Sequence, residues 1–323
     1  VNLTFPLASL CLLAIVASAQ AAAPEQAAPS PGATVRTLTL RDGAVLITTP
    51  NGNVAALLGD EGVALAGTPG AVFRAATRRA LDALVDNPAV RYIIDTSADA
   101  GAFSADDAQA FVFNENDPLF KSLGISAASM RVIGQENVLA RMSAAQAAAQ
   151  LPQVAIPTDA YITPTIDFDL DGSAIQTFHV ANAHSDGDSL VHFRRADVLA
   201  VGEVIDMINY PVIDRARGGS IRGEIDALNR ILDIAVPGEP DEGGTLVIPA
   251  RGRLVDEADV AEYRNMMVII RDRIQDLIQQ GKTLEQVYRA QPTLDYDGLY
   301  GHDEGPWTTR QFIAALYADL KKK

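Results

Sequence analysis

One histidine between two apolar runs offers the clearest chemistry in this chain. His184 stands in Asn182-Ala183-His184-Ser185-Asp186-Gly187-Asp188-Ser189, after the run 175–180 and before 190–193. An imidazole at a strand end is a metal ligand or an acid–base group. The other three histidines carry less: His179 and His192 fall inside strands, and His302 lies on the polar loop 301–306. Asp167-Phe168-Asp169-Leu170-Asp171-Gly172 begins like a calcium loop, but its twelfth position is Phe178, which cannot ligate. Strand-like flanks make it a hairpin with an Asp-Gly turn. Gly218-Gly219-Ser220 lacks the lysine and spacing of a phosphate loop, so Ser220 reads as a helix N-cap. Arg215, Arg217 and Arg222 beside it form a solvated basic patch, or an anion site at that helix start.

These groups need a scaffold, and the apolar pattern outlines one. Residues 35–40 and 44–49 flank Arg41-Asp42-Gly43 as a hairpin, and 54–58 and 62–66 extend an antiparallel sheet. Three-to-four spacing predicts a helix over 71–86, stopped by Asn87-Pro88. A buried strand follows at 90–94 and an Ala-rich helix at 137–150. Strands are expected at 163–168, 174–179, 189–193 and 197–201, then a helix at 220–234 and a strand at 245–248. From Glu257 the chain turns helical, with Gly281 as a cap and further helices at 283–289 and 308–320.

Composition excludes some partners. Net charge is −15, which disfavours nucleic-acid backbones and anionic membrane surfaces. Hydrophobic content is 48% but aromatics only 6%, so Ala, Val, Leu and Ile must fill the core. The apolar run 5–19 ends in small residues and has the pattern of a cleaved secretory signal. The expected division is a signal peptide over 1–21, a flexible Ala/Pro tether over 22–34, a main domain over 35–255 and a helical C-terminal extension over 256–323. This places the protein in the periplasm or outside the cell, with no membrane span after cleavage. Cys11 is the sole cysteine and lies within the signal, so the mature chain has no disulfide and no thiolate metal site.

The order of these segments resembles the metallo-β-lactamase superfamily. The His184 segment is similar to that family's third-histidine motif. Residues 53–65 resemble its opening strands, and 90–96 the strand leading to an H-x-H-x-D-H loop. Val198-Leu199-Ala200-Val201-Gly202-Glu203 resembles its strand ending in Gly-Asp, and Leu246-Val247-Ile248-Pro249-Ala250-Arg251-Gly252 its Pro-Gly-His-Gly loop. The resemblance implies an α+β fold: a four-layer αββα metallo-β-lactamase-like sandwich with a helical C-terminal extension. It also implies a cleft where metal-activated water attacks an ester, amide, thioester or phosphodiester.

Carried over position by position, the family's metal ligands are mostly missing. Ser97 and Asp99 stand where the first two histidines belong, Gly101 and Ala102 where the loop Asp and last His belong. His184 is kept, Glu203 replaces the bridging Asp, and Arg251 replaces the final His. Zinc wants three or four imidazole, carboxylate or thiolate ligands. Only Asp99, His184 and Glu203 remain as metal candidates, so no cofactor is expected, with a weakly held zinc as the alternative. Ser97 with His184 is a remote nucleophile–base pair. The expected function is non-catalytic: a pseudoenzyme that binds a small molecule or a protein partner in the old cleft. The alternative is a β-lactamase-like hydrolase with a weak or rebuilt metal site.

Overall fold

The computed structural model describes residues 35–60, 62–67, 74–85, 89–97, 130–147, 156–239 and 243–321. The first half builds a seven-stranded sheet in the order β1 to β7. Its strands are β1 (Arg36–Thr39), β2 (Ala44–Thr49), β3 (Gly52–Gly59), β4 (Gly62–Ala66), β5 (Val90–Ile94), β6 (Arg131–Gln135) and β7 (Asp159–Tyr161). β1 to β4 pair antiparallel, whereas β4 to β7 pair parallel. The sheet is therefore mixed, beyond the antiparallel meander that the sequence suggests. Parallel neighbours need crossovers, and two described helices fall in these stretches: α1 (Arg74–Asp82) and α2 (Glu136–Ala147).

The second half forms a five-stranded sheet in the order β12-β11-β10-β9-β8. Its members are β8 (Thr165–Leu170), β9 (Ser173–His179), β10 (Ser189–Phe193), β11 (Val198–Asp206) and β12 (Leu246–Arg251). Asp-Gly turns join two of the hairpins. Asp42 and Gly43, like Asp171 and Gly172, all have positive φ (45°, 79°, 54° and 73°), as the tightest hairpin turns require. The calcium-like segment is thus a hairpin in which Asp169 accepts from the Gly172 amide.

Alternation along the strands assigns the layers. Ala44 and Leu46 point between the sheets with Ala55, Leu57, Val191, Phe193, Val198 and Ile248, while Val45 and Ile47 face outward with Val54, Ala56 and Leu81 of α1. Small residues in the inner layer let the sheets pack with few aromatics. The outer face of the second sheet carries α3 (Ile221–Ile234) and α4 (Glu257–Gln279), followed by α5 (Leu284–Ala290), α6 (Asp297–Tyr300) and α7 (Thr309–Leu320). Ile225, Leu228 and Ile231 of α3 share one core with Val260, Met267 and Ile270 of α4 and Phe312 and Leu316 of α7. The C-terminal helices therefore belong to the same packed unit as the second sheet. Two sheets with helices on both outer faces make the αββα sandwich.

Candidate functional site at the strand ends

Four chain segments meet at one edge of the two sheets. β5 runs into Asp95-Thr96-Ser97. The Ser189 amide, at the start of β10, donates to the Thr96 carbonyl at 2.9 Å. β11 passes the same point: a Cβ added at Gly202 would lie 2.7 Å from the Thr96 Cβ, and Gly202 has φ +53°. That close approach explains a glycine there. β12 runs parallel to β11, and after two register shifts Asp206 pairs with Arg251.

The His184 loop is clamped from behind by the start of α3. Ser220 caps that helix by accepting from the Gly223 amide. The Ser220 amide and hydroxyl donate to the Asn182 carbonyl at 3.0 and 3.1 Å. Gly219 and Gly223 put bare backbone against the His184 and Asn182 carbonyls, leaving no room for a Cβ. Inside the loop, the Ser185 amide and hydroxyl donate to the Asp188 carboxylate at 2.6 and 2.8 Å.

His184 is buried, at 3% exposure. Its Nδ1 lies 2.7 Å from the Val212 carbonyl. A carbonyl only accepts, so Nδ1 carries the hydrogen, and in the neutral ring Nε2 holds the lone pair. Arg251, about a third exposed at 31%, is tied to two acids. Its Nε donates to Asp206 Oδ2 at 2.8 Å, and Nη2 lies 3.7 Å from Glu203 Oε2. Asp206, only 2% exposed, also accepts from the Ile208 and Asn209 amides and from Asn209 Nδ2. Among the described residues the shortest ion pair of Arg251 is thus with Asp206, which the sequence pattern did not single out.

Glu224, one turn into α3, is the second residue the sequence pattern passed over. It is wholly buried, and neither carboxyl oxygen has a hydrogen-bond partner among the described residues. Burial, then the charges of Asp188 and Glu203, push its pKa well above the usual value, with His184 acting the other way. Tyr263 of α4 is also buried, and its hydroxyl is pushed up by burial and by Asp206 and Glu224. A signal was present: Glu224 sits among Ile221, Ile225 and Leu228, on the apolar face of its helix.

Of the seven family positions, Ser97, His184, Glu203 and Arg251 fall within this edge; Asp99, Gly101 and Ala102 lie outside the described residues. The other marked residues have local roles. His179 Nε2 contacts the Asp186 carbonyl at 2.9 Å, and His302 Nε2 the Ile208 carbonyl at 3.1 Å. His192 sits 3.2 Å from Asp197, its pKa lowered by burial. Arg215, Arg217 and Arg222 each face a carboxylate, namely Asp319, Asp214 and Asp226.

Among the described residues the donor set does not fit the zinc that this kind of edge implies. A guanidinium, a permanent cation with no lone pair to give, holds the carboxylates at the end of β11. Among the described residues no group of three or more His, Cys, Asp or Glu is placed to hold a metal ion.

No family model and no curated protein matches this chain. Solved structures do match in fold. The stereoselective inverting sec-alkylsulfatase Pisa1 from Pseudomonas sp. superposes with a TM-score of 0.60 at 15% identity, covering 88% of this chain. The chain spans 50% of the length of that sulfatase. The DIM-1 metallo-β-lactamase gives a TM-score of 0.50 at 12% identity, over 72% of this chain and 97% of that one. TMB-1 gives the same TM-score, 0.50, at 12% identity. The fold is the metallo-β-lactamase αββα sandwich.

Proposed function

We propose that this metallo-β-lactamase-fold chain is a metal-free binding protein, a pseudoenzyme whose cleft receives a small ligand or a partner. One observation carries the reading. Arg251 supplies, from the end of β12, the positive charge that balances Asp206 and Glu203. A buried carboxylate left without a counter-charge costs several kcal/mol, by the general energetics of buried ions. The guanidinium removes that need for a metal ion. Fold alone does not give activity, since one scaffold hosts many functions. Export to the periplasm or beyond belongs to the same proposal, on the pattern of residues 5–19.

The test is metal content. Protein purified in zinc-supplemented buffer should carry well under one ion per chain by elemental analysis. Arg251→His should not raise that content. One tightly held ion, lost in His184→Ala, would overturn the reading and favour a metal-dependent hydrolase built on His184, Glu203 and Asp99.

A further inference from the structure

Four strands stand at the edges of the two sheets, and three of them are guarded against pairing. In β12, Pro249 has no amide to donate and its carbonyl accepts from Asn53 Nδ2 at 3.0 Å, while Val247 exchanges two main-chain bonds with Val255. In β8, the Tyr92 hydroxyl donates to the Asp169 carbonyl at 3.2 Å, and two copies paired there would bring Asp167 against Asp169. β7 is flanked by Pro157 and Pro164. Proline, charge and cover are what keep a sheet edge from adding another chain. β1 differs. It holds no proline and no acid, its ladder with β2 has no register shift, and all four of its residues are exposed. At the mouth of the β1–β2 hairpin the Leu40 amide donates to the Ala44 carbonyl at 2.8 Å. Bonded and unbonded pairs alternate along an antiparallel ladder, so Leu38 and Arg36 also turn their main-chain groups to β2. Those of Thr37 and Thr39 turn to the open edge, where no described residue pairs with them. Leu38 lies opposite Leu46, on the face that carries the inter-sheet core, yet it is 51% exposed.

We propose that β1 is the interface of a homodimer, pairing antiparallel with β1 of a second copy about a two-fold axis at Leu38. The edge itself selects this occupant. Outward main-chain groups must meet outward groups, and centring on Leu38 lets Thr37 of each copy exchange both its bonds with Thr39 of the other. The same register sets the two exposed Leu38 side chains against each other, covering the rim of the inter-sheet core. Arg36 then faces Leu40 of the second copy, so no like charges stand opposite. One strand serves both copies, as a two-fold interface requires, and two seven-stranded sheets become one continuous sheet.

Sedimentation of the full chain is followed over a series of protein concentrations. About 0.3 M sodium chloride screens the repulsion between two chains of charge −15. A concentration-dependent dimer is expected. Thr37→Pro removes an outward amide that β2 does not use, and an edge strand tolerates proline there. Leu38→Lys sets like charges across the axis. Each change acts twice in the dimer, so each should weaken association about tenfold or more. Leu38 is half exposed, so its variant keeps the test open if Thr37→Pro fails to fold. In a Cys11→Ser background, Leu38→Cys should cross-link two copies on oxidation, since opposed unbonded residues sit about 4.5 Å apart at Cα. A monomer at every concentration overturns the proposal. So does a folded variant of either kind that associates as tightly as wild type, and so does a Leu38→Cys protein that forms no cross-link.

Discussion

Arg251 Nε lies 2.8 Å from Asp206 Oδ2, joining the last residue of β12 to the last residue of β11. The acid is buried and the base is one-third exposed. Breaking a buried pair costs about 3–5 kcal/mol and an exposed one under about 1. This pair falls between, and Asp206 keeps its bonds from Ile208 and Asn209 when the arginine is gone. Arg251→Ala should therefore destabilise by about 1–3 kcal/mol, the range of a hydrogen bond to a charged group plus partial desolvation. Urea unfolding of the variant measures it. A loss too small to detect would show that the guanidinium does not stand in for a metal charge.

Most elements could be read from apolar spacing, and the reasons for the exceptions are physical. β5 and β10 fall where the apolar runs 90–94 and 189–193 place them. β6 and β7 went unseen because each is short and takes its partners from distant sequence. The end of β11 was hidden by its register shifts, which carry the strand past Val201 to Asp206. That is why Glu203 was noticed as a family position while Asp206 was not. His184 was visible as a kept position of a known pattern, and Glu203 and Arg251 as replacements in it. Glu224 was passed over because a glutamate in a helix ordinarily points to water, although its place on the apolar face with Ile221, Ile225 and Leu228 was a signal that this one does not.

Gly223 gives a prediction in which helix propensity and packing disagree in sign. It is the third residue of α3, where alanine would ordinarily stabilise by about 1 kcal/mol. Its missing side chain lets the helix start rest on the Asn182 carbonyl, and a Cβ would collide with that backbone oxygen. Overpacking of this kind costs about 1–3 kcal/mol, and backbone on both sides leaves little to yield. Gly223→Ala should thus lower the unfolding midpoint and loosen the His184 loop. Faster amide exchange at 182–185 would report the loosening. A stabilised variant with unchanged exchange would mean that the helix and the loop are not locked together.

Glu224 gives the last prediction. In the unfolded chain this carboxyl loses its proton near 4.5, whereas burial holds the folded value well above that. Between the two values the folded state binds one more proton than the unfolded state. Stability from this group is therefore fully present below 4.5 and is lost as pH rises toward the folded value. Glu224→Gln keeps the shape, cannot ionise, and removes this slope. The variant should match or fall slightly below wild type at acid pH and gain on it steadily as pH rises. Urea midpoints of both proteins between about pH 4 and 8 decide it, since the difference should track the proton linkage. Parallel curves would show that the carboxyl ionises as easily folded as unfolded, and that a neighbouring group compensates its burial.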